Sequence, residues 1–143
     1  YRVIVVISVA QAILESDWGR SRFALEANNY YGIIQTDETE PHIKSLNSDV
    51  ILKIYGNKCE SVSDYVALLN TSSAFKEYRE IRLKQYIDDN VDVRAVVKSL
   101  KNYAVDPEYT KKLLMVTLGL FEKYPHIFKS DEIWEYFKNN KKT

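Results

Sequence analysis

Residues 8–33, SVAQAILESDWGRSRFALEANNYYGI, constrain the fold of this chain more than any other segment. Small and apolar side chains surround most of the circumference of a helix predicted over residues 3–16, which indicates a helix buried on nearly all sides. Gly19 is the natural stop of that helix. A single carboxylate, Glu15, therefore lies where a buried helix gives way to a turn.

A polar segment follows the first helices. A short second helix is predicted over residues 20–27, and Asn28 with Asn29 ends it because both side chains tolerate left-handed backbone. Residues 35–55 begin with a polar stretch without helical periodicity and finish with the β-prone run VILKIY at 50–55. We expect these residues to form a small, β-containing lobe or lid beside a cleft.

The remainder of the chain reads as helical. Ser61 with Asp64 resembles a capping box, and Asp106 followed by Pro107 predicts another helix start. Further helical patterns cover residues 75–88, the stretch from Val93 to Ala104, a helix that Pro125 ends, and a last short helix capped by Ser130 that contains Ile133, Trp134 and Phe137. The predicted fold class is α+β, predominantly α.

Length and composition set limits on function. The chain has 143 residues, the size of one domain, and no Pro/Gly-rich linker divides it. Its 20 basic and 20 acidic residues balance, which gives no indication of nucleic acid as a partner. The two histidines lack metal-ligand spacing, and the apolar run at 3–7 is too short to span a bilayer. We expect a monomer with no metal, no cofactor and no membrane insertion within this chain.

Glu15 is the first candidate for chemistry. A carboxyl group half-buried after three apolar residues loses hydration of its charged form, so its pKa is expected to rise. A protonated carboxyl group can act as a general acid on a glycosidic bond. Trp18 could form a wall of such a site. The spacing alone favours a structural Glu15 that pairs with Arg20 or Arg22.

A glycosidase also needs a second carboxylate or the acetamido group of its substrate. The lobe offers Glu38, Glu40 and Asp49, and the spacing does not choose among them. Tyr103 lies at a helix end, from which its ring could reach a sugar across a cleft or could line the core.

The first segment resembles the glucosaminidase domains of glycoside hydrolase family 73, bacterial peptidoglycan hydrolases, and the Bax-type branch in particular. The family pattern A-x-x-E-S-x-W-G-x-S-x-F-A-x-x-x-N-N-x-F-G is matched at Ala12, Glu15, Ser16, Trp18, Gly19, Ser21, Phe23, Ala24, Asn28, Asn29 and Gly32. Similar elements follow in family order at Tyr55 with Ser61-Val62-Ser63-Asp64-Tyr65, at Asn70-Thr71 with Ala74-Phe75 and Arg79, and at Tyr103-Ala104-Val105-Asp106-Pro107-Glu108-Tyr109.

The resemblance implies one lysozyme-like domain over residues 1–143 that hydrolyses the β-1,4 bond following N-acetylglucosamine in peptidoglycan, as an endo-acting enzyme of the cell envelope. It implies a general acid, a second carboxylate and substrate contacts, which would be Glu15, then Glu38 or Glu40, then Tyr103, Tyr31, Asn29 and Trp18. Asp17 stands where many members have Gly, which adds a charge that could shift the pH optimum or face solvent. The alternatives are a lytic transglycosylase on the same scaffold and a non-catalytic wall-binding module.

Overall fold

The computed structural model describes residues 4–128, which are mainly helical. The helices are α1 (Val5–Ser16), α2 (Arg22–Ala27), α3 (Lys58–Thr71), α4 (Lys76–Asp88), α5 (Val93–Ser99), α6 (Tyr109–Lys123) and α7 (Pro125–Phe128), and the strands are β1 (His42–Lys44) and β2 (Ile51–Lys53). The predominantly α class with a small sheet is therefore confirmed. The helix predicted after Ser130 lies outside the described residues. Within residues 4–128, no helix has the length and apolar character needed to cross a bilayer.

The chain forms two compact units. One unit comprises residues 11–68, and the other joins residues 4–10 to residues 69–128. In the second unit α5 packs against α4 and α6, and α6 packs against α7. The side chain of Arg79 donates to the carbonyl oxygens of Leu69 (2.9 Å) and Ser72 (2.7 Å), which caps the end of α3. That capping explains the presence of Arg79 in the sequence element that begins at Asn70-Thr71.

The sheet belongs to residues 11–68. Strands β1 and β2 pair antiparallel with Ile43 opposite Leu52, and Ile34 adds a single bridge to Leu52. Both strands fall inside the predicted lobe, but the sequence predicted only the second of them. The strand that was not predicted, β1, lies in the polar part of the lobe and contains a single β-branched residue.

The start of α3 differs from the sequence prediction. The capping box at Ser61 is wrong, because the helix begins at Lys58 and the Ser61 hydroxyl donates to a helical carbonyl three residues earlier. Asn57 is the cap: its side-chain oxygen accepts the Glu60 N–H at 3.0 Å, and the Glu60 carboxylate accepts the N–H of Gly56 at 2.7 Å. This arrangement resembles a capping box four residues nearer the N-terminus, except that Glu60 accepts the N–H of Gly56, the residue before the cap, and not that of Asn57.

Candidate active site

Helix α1 ends in a run of left-handed backbone. The φ angles of Asp17, Trp18 and Gly19 are 50°, 59° and 77°. The Trp18 N–H donates to the Ile13 carbonyl at 3.1 Å, the six-to-one bond of a Schellman motif with Asp17 in its left-handed position. The helix therefore ends at Ser16, the last residue of the predicted helix. The left-handed conformation that glycine favours begins at Asp17, two residues before Gly19.

Ser16 fixes this turn. It is 1% exposed, and its hydroxyl donates to the Ala12 carbonyl at 2.5 Å and accepts the Gly19 N–H at 2.8 Å. Its carbonyl accepts the N–H of Ser21 at 3.0 Å, and Ser21 caps α2 by accepting the Ala24 N–H at 3.2 Å. The serines of the motif thus hold the turn after Glu15 and start the next helix.

Glu15 lies in the last turn of α1 and is half-buried. Its carboxylate lies against Gly32, whose φ is +65°. A Cβ atom on Gly32 would stand 2.9 Å from Oε2 of Glu15. The chain therefore brings the predicted acid and the last glycine of the motif into direct contact.

The two arginines suggested as structural partners of Glu15 are engaged with other groups. Arg20 pairs with Asp17 at 3.0 Å, and both side chains are about 70% exposed (70% and 69%). Arg22 donates to the backbone carbonyl of Lys44 on β1. These contacts differ from the pairing of Arg20 or Arg22 with Glu15 that a structural role would require. The carboxylate of Asp17 faces solvent.

The two asparagines tie α2 to the lobe. Asn28 caps α2 in left-handed backbone, φ 52°, and donates to the Tyr55 carbonyl at 3.0 Å. Asn29 is 1% exposed. Its amide donates to the carbonyls of Ile33 and Lys53, and its oxygen accepts the Ile33 N–H, each at 3.0 Å. The polar atoms of Asn29 thus face backbone groups.

The aromatic residues of this unit divide by exposure. Tyr31 is 4% exposed and its ring stacks on Tyr65, with centroids 4.0 Å apart and planes at 9°. The Tyr65 hydroxyl donates to Gln11 of α1. Trp18, in contrast, is 59% exposed. Trp18 is therefore the aromatic side chain that the turn after Glu15 presents to solvent.

The lobe carries the remaining predicted carboxylates. Glu38 and Glu40 are exposed on the turn that precedes β1, closed by a hydrogen bond from the Glu40 N–H to the Asp37 carbonyl at 3.1 Å. Hydrogen bonds from the Thr39 hydroxyl and then from its N–H hold the pKa of Asp37 below its usual value. Asp37 therefore shapes the turn, and the two glutamates extend from it.

A further cluster was missed at the sequence level. The Tyr55 hydroxyl donates to Asp64 at 2.5 Å, and Lys53 reaches the same oxygen at 3.0 Å. Burial, followed by the neighbouring carboxylate, raises the pKa of Tyr55. The cluster attaches the end of β2 to α3, which accounts for Tyr55 and Asp64 in the family element that they share. An open depression of about 570 Å³ lies beside it, and none of the predicted site residues lines it.

Tyr103 belongs to the other unit. It ends the 3-10 turn Lys101–Tyr103 and is half-buried. Its ring centroid lies 5.7 Å from that of Phe75 and 6.0 Å from that of Tyr109, with which it is stacked at 11°. Aromatic neighbours therefore fix the Tyr103 ring. In the described part of the chain, no three His, Cys, Asp or Glu side chains converge as metal ligands would.

Comparison with known proteins identifies relatives of similar sequence. The chain is similar to the exo-glucosaminidase LytG of Bacillus subtilis (33% identity, 87% of this chain and 45% of the relative) and to a putative endo-beta-N-acetylglucosaminidase of Streptococcus pneumoniae (26%, 86% and 16%). The chain thus spans less than half of either relative.

The fold is similar to that of the glycoside hydrolase domain of Salmonella typhimurium FlgJ, with a TM-score of 0.61 at 24% identity over 96% of this chain and 84% of that domain. This likeness confirms the predicted lysozyme-like fold. The model of the glucosaminidase family, described as mannosyl-glycoprotein endo-beta-N-acetylglucosaminidase, matches residues 1–119. The match covers well over half of the chain, which therefore belongs to the glucosaminidase family, glycoside hydrolase family 73.

Proposed function

We propose that this chain hydrolyses the β-1,4 bond following N-acetylglucosamine in peptidoglycan, in the cell envelope, with Glu15 as the general acid. The observation that carries the proposal is the half-buried Glu15 carboxylate, held at the end of α1 against Gly32 in a chain of this family. The names of the relatives, glucosaminidases of both exo and endo type, support the class of bond.

The chemical role of Glu15 follows from its place. Cleavage of a glycosidic bond requires a proton on the leaving oxygen while positive charge develops on the sugar ring. A protonated Glu15 donates that proton, and a general acid in such a position contributes a rate factor of about 10²–10⁴. The rigid turn at Ser16 fixes the backbone from which the carboxyl group extends.

We propose that the positive charge that develops on the sugar ring is stabilised by Glu38 or Glu40, or by the substrate's own acetamido group. The other lobe acids are engaged: Asp37 accepts hydrogen bonds from its own turn, and Asp49 pairs with Lys44 at 3.8 Å. Glu38 and Glu40 extend from an exposed turn. Single Gln variants at the two positions distinguish these sources: a lower rate in one variant identifies that residue, and an unchanged rate in both indicates the acetamido group.

Trp18 and Tyr103 are proposed to contact the sugar rings. Trp18 exposes its indole in the turn that follows Glu15, and the Tyr103 ring packs against its aromatic neighbours. Aromatic faces pack against the apolar faces of sugars. Tyr31 and Asn29 are buried, so we assign them to the scaffold of the site instead of to the substrate.

Mass spectrometry of peptidoglycan digested by the purified chain tests the reaction. Reducing N-acetylglucosamine ends support the proposal, anhydro-muramic ends indicate a lytic transglycosylase, and binding to sacculi without released sugar indicates a wall-binding module. The lengths of the early products separate endo from exo cleavage, the mode in the name of the Bacillus relative. Long fragments at low conversion support an endo mode.

A further inference from the structure

We infer that Gly32 is a positioning residue for the Glu15 carboxyl group, and that Asn29 holds Gly32 in place. The inference rests on the proposed function, because it assigns to residues 29–33 the task of aiming the general acid. A Gly at position 32 is thus required by its contact with the acid as well as by its backbone conformation.

The contact runs along the Glu15 side chain. A Cβ atom built on Gly32 would stand 2.9 Å from Oε2, 3.8 Å from Cδ and 4.0 Å from Cβ of Glu15. The first of these distances is shorter than real side-chain contacts allow. Any L-residue at position 32 must therefore displace either the Glu15 carboxyl group or the loop.

The loop is held in a way that opposes its displacement. Ile33, directly after Gly32, exchanges two hydrogen bonds with the buried Asn29 side chain, and its carbonyl also accepts the Lys53 N–H at 3.0 Å. The Asn29 amide continues to the Lys53 carbonyl of β2. Four hydrogen bonds of 3.0 Å thus tie residues 29 and 33 to each other and to the sheet.

The backbone of Glu15 is fixed as well. The next residue, Ser16, is buried and its hydroxyl bridges α1 to the following turn. The first atom that an added methyl group on Gly32 meets is therefore Oε2, at the end of the Glu15 side chain. An added methyl group on Gly32 is expected to move the Glu15 carboxyl group, and a displacement of about 1 Å from a productive geometry can cost about 100-fold in rate.

The test compares Gly32→Ala with Gly19→Ala. Both glycines have left-handed φ, +65° and +77°, so both variants bear the same kind of backbone strain. A Cβ on Gly19 would meet the ring of Tyr30 at 3.3 Å, away from the acid. On soluble glycan strands, Gly32→Ala should lower kcat by about 10–100-fold with KM within about twofold, and Gly19→Ala should keep kcat within about threefold.

A spectroscopic readout makes the test independent of activity. The ¹³C resonance of the Glu15 carboxyl carbon, assigned by its loss in Glu15→Gln, should move in Gly32→Ala and stay in Gly19→Ala. If either alanine variant fails to fold, Gly32→Asn and Gly19→Asn replace the pair, because Asn tolerates left-handed backbone and still carries the Cβ.

The outcomes separate the two claims. If Glu15→Gln keeps the wild-type rate, the proposed function fails and the positioning role fails with it. If Glu15→Gln is inactive but the position 32 and position 19 variants share the same kcat and the same carboxyl resonance, the proposed function stands and the positioning role is overturned.

Discussion

Substitution Asn29→Ala should destabilise the fold by about 2–4 kcal/mol. The change removes three hydrogen bonds of 3.0 Å that join the side chain to Ile33 and Lys53. The Ile33 carbonyl keeps the Lys53 N–H as a donor, so two groups lose a partner, the buried Ile33 N–H and the partly buried Lys53 carbonyl. An orphaned buried group costs about 1–3 kcal/mol and a partly buried one about 1 kcal/mol.

Urea denaturation followed by circular dichroism measures this loss, since the free energy of unfolding falls linearly with denaturant. The matched control is Asn28→Gly. Asn28 has left-handed φ, which Gly adopts without strain, and it makes one hydrogen bond to Tyr55. The control should therefore cost only about 0.5–1.5 kcal/mol.

A small effect of Asn29→Ala on stability would contradict the role given to Asn29. If Asn29→Ala costs less than about 1 kcal/mol, or no more than Asn28→Gly, the Asn29 amide does not hold the loop. The assignment of Asn29 to the scaffold would then be lost, and a contact with substrate would again be the better account of this residue.

Two further predictions concern the turn and the lobe. Asp17→Val should lower the free energy of unfolding by about 1–2 kcal/mol, because a β-branched residue is strained at φ 50°, whereas Asp17→Asn should stay within about 0.5 kcal/mol in the same assay. Tyr55→Phe should cost about 1 kcal/mol at neutral pH through the lost bond to Asp64. The pKa of Tyr55 is raised in the fold, so wild-type stability should fall above about pH 10, where unfolded tyrosine ionises. The variant lacks that titration, and the gap between the two proteins should therefore narrow with rising pH; a constant gap would contradict the assignment.

Local signals in the sequence were sufficient where the cause is local. The apolar surface of α1 and the tolerance of Asn28 for left-handed backbone depend only on local sequence. The structure confirms helix α1 and the end of α2 at Asn28. The cap of α3 was misplaced because two cap patterns lie four residues apart. Asn57 with Glu60 has the same three-residue spacing as Ser61 with Asp64, and only the structure shows that Asp64 faces Tyr55 instead.

Contacts between distant residues could not be read from spacing. Gly32 is far from Glu15 in sequence, and their contact depends on the fold of the intervening loop, which Asn29 ties to β2. Strand β1 could be recognised only from its pairing with Ile51–Lys53, which the sequence alone does not show. The motif resemblance indicated which residues matter, and the structure separates those that are buried supports, such as Asn29, from those that are exposed, such as Trp18.

The rate of peptidoglycan hydrolysis by Glu15→Gln tests whether Glu15 is the general acid. Gln keeps the size of the side chain but donates no acid proton, so circular dichroism and the melting temperature should match the wild type. The release of reducing ends should fall by about 10²–10⁴-fold. A folded Glu15→Gln protein that cleaves peptidoglycan at the wild-type rate would contradict the assignment of Glu15 as the general acid.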